Sequence, residues 1–184
     1  PAATYTMEGT MADRFRVHVE GASEIETLLH RLQAKAGDLT PLMQMIGTQI
    51  ETSVEDNFRG GHDPAGIPWP KSRRAKETGG KTLIDSAILK GSITSRASAS
   101  SVEVGSNVVY AGRHNQGWSG TEQVRAHKRT MTQVFGVKLA NPKEITVSAF
   151  NRTASTPKRE FLGLSIHDQQ DIVGIIEDYF GLDD

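Results

Sequence analysis

Residues 38–58, "DLTPLMQMIGTQIETSVEDNF", place Leu42, Ile46, Ile50, Val54 and Phe58 at every fourth position. Side chains four residues apart stack on one face of an α-helix, so the spacing predicts a helix with a single apolar stripe, widened by Met45. Thr40 suits the N-cap and Pro41 the first helical position, where a missing N–H costs nothing. A stripe of this kind belongs to a core rather than to a binding groove. The rest of the chain is read outward from it.

On its N-terminal side, residues 23–37 predict a second amphipathic helix. Ser23 and Glu26 form a capping box, Ile25, Leu28, Leu29, Leu32 and Ala36 share one face, and Gly37 closes it. Before that, "RFRVHVEG" (14–21) alternates Phe15, Val17 and Val19 with polar residues, the pattern of a half-buried strand. Residues 1–12 read as a flexible arm without the basic and apolar segments of a signal peptide.

On its C-terminal side, "TLIDSAILKGSI" (82–93) reads as a short helix or a pair of turns. "SITSRAS" and "SVEVGSN" read as two short strands around residues 97–100, and "VVYAGRHNQG" as a further short element. Residues 121–136 and 143–153 flank "VKLANP", which contains Asn141-Pro142, and predict a long β-hairpin over about 121–153. Its apolar and polar residues do not segregate, so it projects or pairs with another chain rather than joining the core. "LSIHDQQDIVGIIEDYFG" predicts a last helix, started by Ser165 and Asp168 and stopped by Gly181, with Ile172, Ile175, Ile176 and Tyr179 inward.

The loop "GGHDPAGIPWPKSRRAK" (60–76) gathers the residue types of an active site. His62 and Asp63 could serve as a base and its orienter, with His114 as a third member. However, adjacent residues rarely reach that geometry, and Asp before Pro in a Gly-rich segment is the chemistry of a turn. "TGGKT" (78–82) imitates the end of a phosphate-binding loop, but Ala75 stands where the first glycine is required. Trp69, between Pro68 and Pro70, reads as a plug beneath a stiff loop or an anchor into a neighbouring subunit. The six histidines show no metal-ligand spacing and cysteine is absent, which excludes disulfides and thiolate sites. No catalytic, cofactor or metal site is assigned.

The 184 residues allow one sizeable domain with appendages. An apolar content of 36% and a mean hydropathy of −0.41 leave some surface to be buried by partners. No run approaches the ~20 apolar residues that a membrane span needs, so a soluble intracellular chain is expected. The net charge of −1 hides an asymmetry. From Arg113 to Lys143 the only acid is Glu122, whereas from His167 onward there are acids and no Lys or Arg. Such a division suits either nearby nucleic acid or charge-matched contacts between copies. The residues alone therefore describe an α+β domain spanning 13–184, with a small antiparallel sheet, two N-terminal helices, a C-terminal helix and a projecting hairpin. They favour an assembly protein over an enzyme.

The order of four blocks adds to this reading. "GGHDPAGIPWP", "KTLIDSAILKGSI", "VEVGSNVVYAGRHNQG" and "PKREFLGLS", followed by a terminal helix, resemble the phage virion morphogenesis family, the tail completion proteins of Mu-like and P2-like phages. Phe58, Asp63, Pro64, Gly66, Trp69, Leu89, Gly105, Tyr110, Ala111, His114, Gly117, Arg159, Phe161 and Gly163 are among the residues that carry the match. The chain departs from the family pattern at Ser86-Ala87, where a small residue and glycine are usual, and at Glu160, where proline is usual.

The resemblance implies a non-enzymatic protein of the virion neck or tail end, made in the host cytoplasm. It implies a homo-oligomeric ring, hexameric, meeting connector and tail tube proteins and no membrane. Trp69, Arg73, Arg74, Arg125, Lys128, Arg129 and Phe161 are the candidate residues for a subunit interface or DNA channel. The basic hairpin and acidic helix either form complementary sides of a head-to-tail contact, or the hairpin lines the lumen and touches DNA non-specifically. An independent DNA-binding protein using Lys71, Arg73, Arg74, Arg125, Lys128 and Arg129 is the alternative reading.

Overall fold

A computed structural model describes residues 15–16, 27, 37–134 and 137–181. The expected arm over 1–12, most of the strand over 14–21 and most of the helix over 23–37 lie outside these. The class is α+β.

Helix α1 (Thr40–Gly60) forms where the stripe predicts it and buries Leu42, Met43, Ile46, Ile50, Val54, Asn57 and Phe58. Its start differs from expectation. Leu39 is the N-cap residue, and the Asp38 carboxylate accepts bonds from the Thr40 N–H at 2.9 Å and the Thr40 hydroxyl at 2.6 Å. Those bonds hold the Asp38 carboxyl below its usual range. Met45 does not widen the stripe and is 46% exposed. Leu39 and Met43 do so instead, because together with Ile46 and Ile50 they form the neighbouring i, i+4 and i+3 ridge. Gly61 ends the helix at φ +73, donating its N–H to the Asn57 carbonyl.

Strands β1 (Phe15–Arg16), β2 (Ile93–Ala97) and β3 (Val102–Ser106) form an antiparallel sheet in the order β1-β3-β2. Helix α1 packs against β2 and β3 at Gly47, where a Cβ would lie 2.9 Å from the Ser95 side chain and 3.0 Å from Val102. The Ser98–Ser101 turn joins β2 to β3, and the Leu39 N–H donates to Ala99 beside it. Between α1 and β2 lie a short helix α2 (Arg73–Thr78), capped by Ser72, and a run of turns ending in a 3-10 turn at Lys90–Ser92.

A six-residue helix α3 (Ala111–Gln116) follows β3. Helix α4 (Ile166–Phe180) closes the chain and packs on α1 through Ile172 and Ile176. Both bonds of the Ser165–Asp168 capping box are present, and Gly181 caps the far end at φ +60. Tyr179 departs from the expected stripe at 39% exposure, and Phe180 packs toward the core instead.

Residues 118–156 form a compact unit of their own, separate from the unit made by the remainder. Strand β4 (Trp118–Val124) pairs with β7 (Phe150–Thr156), and β5 (His127–Val134) pairs with β6 (Val137–Val147). The two ladders share one register across the unpaired residues 125–126 and 148–149. Val134 pairs with Val137, so the strands reverse there and not at Asn141-Pro142. The dipeptide lies inside β6, between Lys138 and Lys143, where the register shifts opposite Met131 and Gln133. Proline has no N–H for a ladder and is accommodated at such an irregularity.

Candidate functional site

The Gly-rich loop after α1 is held by its own backbone. Asp63 and Ile67 exchange bonds, the Ile67 N–H donating to the Asp63 carboxylate at 2.8 Å and the Asp63 N–H to the Ile67 carbonyl at 2.9 Å. Gly66 takes φ +81 and donates to the Asp63 carbonyl, so the Asp-Pro-Ala-Gly sequence is a closed turn. His62 and Pro68 bridge across it, and the Trp69 N–H returns to the Gly61 carbonyl at 2.8 Å. His62 Nδ1 lies 2.8 Å from the Asp63 carbonyl oxygen, a local contact. With the Asp63 carboxylate engaged in the turn, the pair does not form a base and orienter aimed at a substrate. Among the described residues no group of three or more His, Asp or Glu could hold a metal.

The turn delivers Trp69 to the core at 6% exposure. Its ring meets Phe58 edge-on at 5.7 Å, Phe58 meets Phe161 at 5.1 Å, and the indole N–H donates to the Glu160 carbonyl at 2.9 Å. Two buried asparagines fix the segment that carries Phe161. The Asn115 side-chain oxygen accepts from the N–H groups of Phe161 at 2.8 Å and Leu162 at 2.9 Å, and its amide donates to the Leu162 carbonyl. The Asn57 amide donates to the Phe161 carbonyl. Arg159, 6% exposed, gives its Nε–H to the Pro70 carbonyl, and burial lowers its guanidinium pKa. Sequence reading missed both asparagines. The available signal was Asn57 standing on the α1 stripe, three residues after Val54.

His114 lies in the same cluster. Its carbonyl accepts from the Arg159 N–H at 2.8 Å and its ring sits edge-on to Tyr110, while Nδ1 is buried without a hydrogen-bond partner. Burial, then the charges of Arg159 and Arg113, push its pKa below the ordinary 6.5, favouring the neutral ring. Gly117, at φ +76, follows α3, where a Cβ would fall 2.8 Å from the Lys158 backbone nitrogen. Together these residues lock the chain before and after the hairpin insertion.

The predicted interface residues therefore divide. Trp69 and Phe161 are core side chains. Arg74, half-buried, donates to the carbonyls of Lys81 at 2.6 Å and Ile84 at 2.8 Å and lies 3.5 Å from Asp85, organising the "TGGKT" turn. That turn follows a helix ended by Gly79 in the left-handed conformation, unlike the strand that feeds a phosphate loop. Arg73 is a surface residue paired with Glu77. Arg125, Lys128 and Arg129 are exposed on the hairpin, where Lys128 reaches Glu144 at 2.8 Å. An open groove of 470 Å³ beside β2 and β3 has Ser92, Arg96, Glu103 and Ser106 among its lining residues. Arg96 and Glu103 pair across the strands there, as opposite charges do on a sheet face.

This arrangement, with a Trp-bearing turn, the "YAGRHNQG" helix and the "REFLG" clamp closed on one another, is accompanied by a match to the phage virion morphogenesis family over residues 20–181. The chain belongs to that family. It is also 30% identical over 166 residues to Mu-like prophage FluMu G protein 2 of Haemophilus influenzae, covering 90% of this chain and 96% of that protein. No solved structure matches. As a virion morphogenesis protein the chain has a structural, assembly role, and its family motifs account for packing. No helix among the described residues is long and apolar enough to cross a membrane.

Proposed function

We propose that this virion morphogenesis protein builds the neck or tail end of the phage as a homo-oligomeric, hexameric ring that completes the tail and joins it to the head. The carrying observation is the hairpin unit, residues 118–156. A two-stranded ladder is marginally stable in water by itself, and this one keeps half-buried apolar residues beside exposed charges. Such an element gains its stability from a neighbouring surface, and a ring supplies one to every copy. The partners above and below are connector and tail tube proteins, met in the host cytoplasm during assembly and retained in the virion.

Mass photometry of the purified protein, with detection in purified particles, tests this reading. A discrete oligomer present in virions is expected. A strictly monomeric protein absent from particles rejects the ring.

A second reading rests on the hairpin cations. Arg125, Lys128, Arg129, Lys138, Lys143 and Arg152 face only Glu122 and Glu144 within the unit. An autonomous DNA-binding protein shows tight duplex binding that falls steeply with salt, whereas a ring lumen needs only weak contact. Absence of duplex binding at low salt removes the second reading.

A further inference from the structure

We propose that one face of the hairpin docks on the C-terminal end of α4 in a second copy of this chain, Arg129 and Lys143 meeting Glu177 and Asp178. The inference rests on the ring reading and specifies the contact within it. Residues directly opposite in an antiparallel ladder share a face, so the register separates charges that the sequence leaves mixed. His127, Arg129 and Met131 lie on one face with Val147, Ile145 and Lys143, and Lys128 and Thr130 lie on the other with Thr146 and Glu144. The second face is neutralised by the Lys128–Glu144 pair. Glu122, the other hairpin acid, is held by Arg152 at 3.0 Å. The first face keeps its cations, with no ion pair to Arg129 or Lys143 among the described residues.

The composition of this face selects a protein partner. Half-buried Met131, Ile145 and Val147 lie among exposed Arg129, Lys143 and His127, giving an apolar centre with a cationic rim. A phosphate backbone calls for the cations without that centre. A second hairpin is the wrong occupant, because edge-to-edge or face-to-face pairing sets cations against cations.

Helix α4 is complementary. Glu177 and Asp178 are exposed in its last turns, Tyr179 beside them is 39% exposed, and no basic residue stands in the last turn. Two carboxylates at the negative end of a helix dipole are unfavourable in isolation, and cations from outside relieve them. The contact joins different surfaces of identical chains, which suits a head-to-tail arrangement, and such an arrangement makes a ring where its rotation closes.

The test uses the full-length protein and two double variants, Arg129→Glu/Lys143→Glu and Glu177→Lys/Asp178→Lys, each checked for folding by circular dichroism and thermal unfolding. Mass photometry is expected to show each variant alone dissociated, its assembly weakened about a hundredfold or more. An equimolar mixture of the two is expected to reassemble, because each reversed hairpin then meets a reversed helix. The mixing step separates a lost contact from a misfolded chain. If the unmodified protein is monomeric, the ring reading fails and this contact with it. If the unmodified protein assembles and both variants assemble equally well, or the mixture stays dissociated, this contact alone is overturned. Loss of duplex DNA binding by Arg129→Glu/Lys143→Glu with assembly intact assigns the face to nucleic acid and also overturns it.

Discussion

At the scale of single residues, Ala87 carries local backbone strain. It sits at φ +59, a left-handed conformation that costs an L-residue about 1–2 kcal/mol. Its methyl is exposed, so removing it loses no packing. Ala87→Gly is expected to raise stability by about 0.5–1 kcal/mol after the added freedom of the unfolded chain is set against the relief, measured by urea denaturation. Trp69→Ala should act the other way. Loss of the indole from between Phe58 and the Glu160 carbonyl is expected to cost about 3–5 kcal/mol, seen as a lower urea midpoint. His114 gives stability a pH dependence. Its folded pKa lies below the unfolded value near 6.5, so the unfolded state binds the extra proton first. Its contribution is complete above that value and declines as pH falls from 6.5 toward the lowered folded pKa. His114→Gln is expected to flatten that part of the stability–pH curve, measured by thermal melts between about pH 7 and pH 5.

Among the elements, legibility followed the range of the forces involved. The α1 stripe, the Ser165 capping box and the closing Gly181 depend on neighbours within a turn or two, and each was readable in the sequence. Met45 was misassigned because a fourfold spacing gives the centre of a helical face but not which flank meets the sheet. The reversal of the hairpin was obscured because Asn141-Pro142 is good turn chemistry, and only the pairing of Val134 with Val137 shows it lodged in a strand irregularity. The loop over 60–76 looked like a site because polar residues cluster there, but the carboxylate of Asp63 is consumed by its own turn. The asparagine clamp was the least legible feature, since its partners lie 46 and 47 residues away. Asn115→Ala leaves the Phe161 and Leu162 N–H groups buried and unpaired. A loss of about 3 kcal/mol is expected by chemical denaturation, with hydrogen exchange rising first over residues 157–165.

For the whole molecule, the division into two units sets what can be altered independently. The core unit holds the buried aromatics and α4, while the hairpin carries six basic residues against two acids. A protein whose residues 118–156 are replaced by a short Gly-Ser linker is expected to fold with its Trp69 environment intact, judged by near-ultraviolet dichroism, and to remain monomeric by mass photometry. An assembly of unchanged mass from that protein removes the hairpin from the interface. Trp118 pairs directly with Thr156, so the first and last residues of the insertion stand one strand spacing apart. Within the core unit, the chain segments that flank the insertion meet where Gly117 approaches the Lys158 backbone. The chain thus possesses a socket: a point where a paired-strand arm of another length or another charge can be exchanged, as a tool head is changed on a fixed handle. Exchange there alters the length or charge of the arm and leaves the buried contacts of the core unit as they are.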